Sequence, residues 1–418
     1  MNILMVTNTY LPIVGGLELS IASFTAEYRK RGHRVKIVAP EFDNSPPEEL
    51  DVIRVPALKN FNGSKYSIKF PMPAFFIKDL GKFKPDIIHT HHPFLMGDTA
   101  LRLAYANNVP LVFTHHSLYE ENIHWMPWAS EGLKKFIINL STGYANFCDA
   151  VIAPSESVAE MIKERGVETP VTVIPTGLHL NQFMGTSRNF KEEKQIPEKA
   201  FVVGYVGRLA EEKNLPFLMR AVTPFLKKEK SALFLVVGSG PMQEAISLHF
   251  NELKLEKQLC LAGEMKGKKL IEAYQAIDVF AFASQSETQG MVLNEAMAAG
   301  TPVVGVDAPG VRDIVSDKIN GRLVPGENEE EFSRALSWIF DQSPSERKKL
   351  IEGAKETAKN YSVERSAAKA LEVYESLKST ETVRRKMNKK DPFPFLRHLN
   401  AEWGLFSNFT RATMGAFQ

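Results

Sequence analysis

The stretch NILMVTNTYLPIVGGLELSIASFTAEYRKRGHRVKIVA, Asn2 to Ala39, decides the architecture. NILMV is a continuous apolar run of strand length, and YLPIVGGLE is a glycine-bearing loop. LSIASFTAEYRK is an amphipathic helix that stops at Arg31-Gly32, where basic residues precede a glycine. VKIVA is the next strand. The rhythm recurs in PDIIHTH, PLVFTHH, DAVIAPS and VTVIPTG, and restarts after residue 200 with FVVGYVGRL, ALFLVVGSG, QLCLAGE, DVFAFAS, TPVVGVD and GRLVP. Short apolar strands alternating with helical segments predict an α/β protein with parallel sheets covered on both faces. The polar, irregular stretch between Gly177 and Ala200 reads as a linker. Two Rossmann-like parallel-sheet domains facing a central cleft are therefore expected: residues 1–190 and 191–378, followed by a basic and aromatic tail over 379–418. In such sheets ligands bind beyond the carboxyl ends of the strands, so the loops after strands hold the candidate chemistry.

Composition narrows the functional classes. The 418 residues are 44% hydrophobic and 24% charged, which is ordinary for globular domains. A net charge of +2, from 51 basic and 49 acidic residues, carries no nucleic-acid signature. Cys148 and Cys260 stand far apart without a CxxC, which excludes a disulfide scaffold or a cysteine zinc site and fits a reducing cytoplasm. The amino terminus lacks a secretory signal and no apolar run approaches the length of a membrane span, so any membrane contact is expected to be peripheral, on the inner face.

Several loops carry residues suited to anions and sugars. Gly15-Gly16 lies between the first strand and first helix, where glycine lets backbone approach a phosphate or simply turns the chain. The spacing is not GxGxxG. Arg208 and Lys213, in GRLAEEKN, are either a pair of cations for a diphosphate or a solvated helix start near Glu211 and Glu212. VVGSGP, containing Gly238, is a strand ending in a backbone-exposing turn that either holds a nucleotide base or reverses direction. SETQGMVLNEAMAAGTPVV, Ser286 to Val304, follows a strand: Glu287 belongs to the loop, and a helix begins at Gly290 or Met291 and stops at Gly300. Its first amides, at Met291 and Val292, are available for anions, with Gly290 permitting close approach. Glu295 is placed to accept both hydroxyls of a ribose, and Glu287 those of a transferred sugar.

Six of the ten histidines, His89, His91, His92, His115, His116 and His124, fall between residues 89 and 124. They lack HExxH or repeated ligand spacing, so no metal site is expected. One or two should line the cleft and the others pack.

Taken together, Gly15-Gly16, GRLAEEKN, GSGP and above all Glu287-x7-Glu295 followed by AMAAGTPVV resemble the retaining, nucleotide-sugar-dependent glycosyltransferases of family 4, which have the GT-B fold. The resemblance covers about residues 1–375. It implies that Arg208 and Lys213 bind the donor diphosphate, assisted by the amides of Met291 and Val292. By the same resemblance Glu295 holds the ribose, Glu287 contacts the donor sugar, Gly16 closes on the phosphates from the opposite domain, and His116 is the cleft histidine. It implies catalysis without a metal, consistent with the absence of a DxD triplet, and no cofactor beyond the nucleotide sugar as co-substrate. The wording ETQG, in place of an aromatic before the glycine, together with HTHHPF and FTHHSLYEENIHW, is similar to the branch that glycosylates membrane lipids such as diacylglycerol.

The expected activity is transfer of a hexosyl group from a UDP-glucose or GDP-mannose type donor to a membrane lipid. The alternatives are a soluble sugar or sugar-phosphate acceptor, or an epimerase or hydrolase of similar fold. Lys59 to Lys84 holds six lysines, one aspartate and six aromatics, a composition suited to an anionic bilayer surface or to a solvated face over buried aromatics. RRKMNKK, Arg384 to Lys390, and the aromatics after it repeat the theme, with Pro392 and Pro394 arguing against one continuous helix.

Overall fold

A computed structural model describes residues 1–13, 15–42, 45, 49–57, 80, 83–123, 130–185, 189–387 and 394–416. The chain forms two compact units, Met1–Gly177 with Val363–Gln418, and Leu178–Ser362.

In the first unit the strands are β1 (Asn2–Val6), β2 (Arg34–Pro40), β3 (Val52–Val55), β4 (Ile87–Thr90), β5 (Leu111–Thr114), β6 (Ala150–Ala153) and β7 (Val171–Val173). They are all parallel, in the order β3-β2-β1-β4-β5-β6-β7. Met5 pairs with Ile37 on one side and His89 on the other. Helices α1 (Gly16–Lys30), α2 (Met96–Asn107), α3 (Glu131–Ala145) and α4 (Glu156–Glu164) form the crossovers. Because both faces are covered, β4, β5 and β6 are buried at every position, which is why they read as unbroken apolar runs.

The second unit repeats the plan. After α5 (Asn189–Glu193) come β8 (Phe201–Val206), α6 (Leu215–Lys228), β9 (Ala232–Val237), α7 (Gln243–Glu252), β10 (Leu259–Gly263), α8 (Gly267–Gln275) and β11 (Val279–Phe282). They are followed by α9 (Met291–Ala299), β12 (Val303–Val306), β13 (Gly321–Val324), α10 (Glu329–Phe340) and α11 (Pro344–Lys359). Sheet order is β10-β9-β8-β11-β12-β13, again parallel throughout.

The expected boundaries shift in two places. The first unit ends at Gly177 rather than 190, and the chain returns to it at Val363. The helix α12 (Val363–Met387) belongs there because Ala367, Ala370, Leu371 and Tyr374 complete its core with Ile3, Tyr28 and Ile37. The tail beyond it is not a separate piece. A further helix, α13 (Pro394–Ala416), starts at its proline, a position helices tolerate, and docks on α2 and α3. Arg102 pairs with Glu402, Asn408 donates to the Leu140 carbonyl at 3.0 Å, and Phe409 meets Phe136 edge-on at 5.5 Å. A Cβ on Gly143 would lie 1.8 Å from Asn408 Oδ1, so glycine is required for this close approach. The strand β3 was not anticipated; its half-buried VIRV follows a proline pair and lacks the length of its neighbours.

Among the described residues no helix is long and apolar enough to cross a membrane. The basic and aromatic stretch Lys59–Lys84 lies outside the described residues except for Leu80, Phe83 and Lys84, as do His124, Pro392 and Phe417.

Candidate functional site

Strand order reverses between β8 and β11 in the second unit, the position at which open parallel sheets bind ligands. The loop after β8 is GRLAEEKN and the loop after β11 is SQSETQG, so topology alone makes neighbours of two segments distant in sequence. Their side chains meet: Lys213 Nζ donates to Glu287 Oε1 at 2.6 Å, and both side chains are largely covered, 24% and 17% exposed. Arg208 is instead ion-paired with Glu212 and its side chain is 67% exposed. The structure therefore brings Lys213 and Glu287 together and leaves Arg208 on the open side of the same loop.

Glu287 leads into α9. Gly290 is its N-cap, with φ +67° and ψ 52°, a left-handed conformation that favours glycine. Gly290 has no side chain with which to cap the first turn, from Met291 and Val292, and that turn holds no acidic residue, so its amides carry the partial positive charge of a helix start. One turn on, Glu295 is half-buried and its Oε2 accepts a hydrogen bond from the Tyr274 hydroxyl at 2.6 Å. Burial raises the Glu295 carboxyl above the usual carboxylate range, and the Tyr274 bond offsets part of that rise. Gly300, with φ +90°, ends the helix as expected.

Gly238 has a different reason to be glycine. A Cβ there would sit 1.9 Å from the Gly207 carbonyl oxygen, and its amide donates to the Gly263 carbonyl at 2.9 Å. Leu209 N to Ser239 O and Met242 N to Leu209 O, both 2.9 Å, stitch the GSGP turn to the loop after β8. Close packing of the two loops accounts for this glycine without reference to a ligand.

Sequence reasoning missed two residues here. Tyr274, from α8, holds Glu295, and nothing local in the sequence marks it. Gly310, with φ +75°, packs so closely that a Cβ would lie 2.8 Å from the Glu287 carbonyl oxygen; the dipeptide Pro309-Gly310 was its available signal.

In the first unit the order reverses between β1 and β4. Gly15 is the extended N-cap of α1 and Gly16 its exposed first residue. The carboxylate of buried Glu18 folds back so that its Oε2 would lie 2.7 Å from a Cβ on Gly15. Beside this loop His92 Nδ1 accepts the Asn8 amide at 3.1 Å, and Asn8 Oδ1 accepts the Met96 amide at 3.0 Å.

The other histidines form a layered cluster. His89, within β4, has Thr114 Oγ1 2.7 Å from its Nε2 and the Tyr374 hydroxyl 2.6 Å from its Nδ1, and Tyr374 in turn meets the Tyr28 hydroxyl at 3.2 Å. His91 lies against His89 with tilted rings whose centroids are 4.3 Å apart, and its Nδ1 lies 2.9 Å from His116 Nε2. A cavity of about 20 Å³, room for one water, is lined in part by His89, His91 and His116. His115 packs away from it against Phe113 and Tyr119. Burial lowers His89 to about 3 and His92 and His115 to about 4, and burial with the neighbouring imidazoles holds His91 and His116 well below the ordinary value. All five rings are thus neutral near pH 7, suited to hydrogen bonding rather than to carrying charge. Among the described residues no group of three or more histidine, cysteine, aspartate or glutamate side chains is placed to hold a metal ion.

Comparison with known proteins places these features. Residues 14–182 match the family description Glycosyltransferase Family 4, and residues 186–357 match Glycosyl transferases group 1. An alpha-monoglucosyldiacylglycerol synthase of Streptococcus pneumoniae R6 is 29% identical over 79% of this chain and 76% of its own. A D-inositol 3-phosphate glycosyltransferase of Corynebacterium diphtheriae is 28% identical over 86% of this chain and 89% of its own. Anabaena HepE, solved in complex with UDP, superposes with a TM-score of 0.71 at 21% identity, covering 90% of this chain and all of that one. The two family matches, one over each Rossmann-like unit, make the chain a glycosyltransferase. More particularly, the chain belongs to the family 4 glycosyltransferases of GT-B fold, and it resembles the lipid-glycosylating branch.

Proposed function

We propose that this enzyme transfers a hexosyl group, with retention at the anomeric carbon and without a metal, from a nucleoside-diphosphate sugar of the UDP-glucose or GDP-mannose type to a membrane lipid such as diacylglycerol. The observation that carries the reading is the Lys213–Glu287 contact beside the uncapped start of α9. Lys213, Arg208 and the amides of Met291 and Val292 supply positive charge where a diphosphate leaving group gains negative charge, the larger electrostatic demand of the reaction. Glu295, held by Tyr274, accepts the ribose hydroxyls, and Gly290 lets the diphosphate approach the backbone.

In the reaction the bond between the anomeric carbon and the diphosphate oxygen breaks, with its electron pair leaving on the diphosphate. The acceptor oxygen attacks the same face and its proton passes to a leaving phosphate oxygen. Glu287, already engaged by Lys213, positions the donor sugar and forms no covalent adduct. A glycosyl adduct trapped on Glu287 would overturn this course.

The lipid acceptor is favoured by the synthase relative and by the ETQG wording. A soluble acceptor is the second reading, favoured by the relative named for inositol phosphate. The deciding experiment crosses UDP- and GDP-sugars with lipid extract, diacylglycerol and soluble sugar phosphates, with products read by mass spectrometry. A new hexosyl lipid is the expected product; hexosylation of soluble acceptors alone refutes the lipid assignment.

A further inference from the structure

The helix α13 buries one face and exposes large apolar side chains on the other. Its inner face, Ala401, Asn408 and Ala412, is buried against α2 and α3. Its outer face presents Trp403 at 71%, Phe406 at 65% and Met414 at 57% exposure, a spacing that puts all three on one stripe of a helix with Thr410 between them. Trp403 and Phe406 stand with ring centroids 6.2 Å apart, and Phe409, 56% exposed, carries the aromatic surface across to Phe136 on α3.

Charge on this helix points one way. Of the residues from Asn400 to Ala416, Glu402 and Arg411 alone carry charge. Glu402 is neutralised by a two-pronged contact with Arg102 at 2.5 and 2.9 Å. Arg411 is exposed beside the stripe. In the sequence ahead of the helix, Arg384–Lys390 adds five basic residues, followed by a single acidic one, Asp391.

We infer that the outer face of α13 docks on the headgroup region of an anionic bilayer. The stripe leaves on the order of 400 Å² of side chain uncovered, judged from the area such residues bury. That is about half of the roughly 800 Å² per partner that a stable protein interface requires, so a second copy of the chain fits it poorly. An interfacial contact needs no matching partner surface: tryptophan and phenylalanine enter the headgroup boundary while cations beside them meet lipid phosphate. The stripe belongs to the same unit as His116. The inference supplies a membrane contact to the proposed lipid reaction but stands on its own observations.

The test is sedimentation of the full chain with vesicles of phosphatidylcholine alone and of phosphatidylcholine with phosphatidylglycerol. Trp403→Ser/Phe406→Ser and Arg411→Glu are compared with wild type, with circular dichroism checking the fold and light scattering the oligomeric state. Expected are binding of wild type to the anionic vesicles and at least a tenfold weaker partition for the double variant, with Arg411→Glu intermediate. Transfer to a detergent-dispersed acceptor should change less than twofold. Equal sedimentation of wild type and double variant, no binding by wild type, or a dimer that the double variant dissociates would each overturn the inference. Loss of vesicle binding in the double variant, with no lipid product from wild type under any donor, would sustain the docking face while rejecting the lipid acceptor.

Discussion

Lys213 reaches across 74 residues of sequence to hold Glu287 at 2.6 Å. The pair sits where two strand ends diverge, so each residue is oriented by the other before any ligand arrives. Lys213→Ala is expected to lower kcat/KM by about 10²-fold to 10³-fold, the usual cost of removing a preorganised electrostatic donor. Because the pair is partly exposed, its loss should cost only about 1 kcal/mol of stability. Unchanged kinetics in Lys213→Ala and Glu295→Ala together would refute the donor-site assignment; measured kcat, KM and melting temperature separate the two effects.

With Glu295 in the proposed ribose-holding role, its raised carboxyl is expected to make donor binding sensitive to mild acid. Ionised Glu295 can accept both ribose hydroxyls, whereas the protonated carboxyl gives up acceptor capacity at the oxygen that carries the proton, so donor affinity should fall on acidification at a higher pH than an ordinary carboxylate would give. Tyr274→Phe removes the bond that favours the ionised form, and therefore moves this acid limb to still higher pH. Isothermal titration of UDP and GDP sugars across the acid range reads the midpoint; a shift to lower pH in Tyr274→Phe contradicts the assignment.

Gly238→Ala separates packing from binding. A Cβ 1.9 Å from the Gly207 carbonyl, at a φ of +144°, forces the loops apart, and the expected loss is about 3 kcal/mol or more. Denaturant unfolding measures it. A stable variant with weakened donor affinity alone would restore a direct ligand role for this glycine.

The histidine cluster ties the first unit's stability to pH. His89, His92 and His115 are held at about 3 to 4 when folded and return to about 6.5 when unfolded, so the unfolded chain binds more protons between those values. Their contribution is complete above pH 6.5 and is lost as pH falls toward 4, at roughly 2 kcal/mol per ring by pH 5. Calorimetry should show a steep fall in melting temperature over that interval, shallower in His92→Asn. A flat profile would mean the rings are hydrated rather than buried.

Much of this was legible beforehand because parallel strands buried on both faces write themselves as apolar runs. β1, β8 and β11 could be found that way, as could the helix from Met291 to Gly300 with its glycine at each end. Glu287 and Lys213 were legible as loop residues, but their contact was not, because it follows from the reversal of strand order. Tyr274 acts through a partner distant in sequence, and no local pattern betrays it, while His91 was visible as one of a histidine cluster but its contact with His116 was not. Gly238 was visible as a glycine in a turn while its reason, the Gly207 carbonyl, was not. The return of α12 to the first unit escaped notice for the same cause: alanine-rich VERSAAKALEVYESL fits any apolar groove, and only the surface beneath Tyr374 says which.

That return has a consequence for how the protein is made. Gly177 and Val363 pass so closely that a Cβ on the glycine would meet the Val363 backbone at 2.1 Å, and Leu178 N donates to the Tyr361 carbonyl at 2.7 Å. The second unit is thus an uninterrupted insert whose ends leave side by side, while the first is assembled from both termini. During synthesis the insert can mature as soon as it emerges, whereas the unit that begins the chain must wait, its core open around His89 and Tyr28, until Tyr374 has left the ribosome.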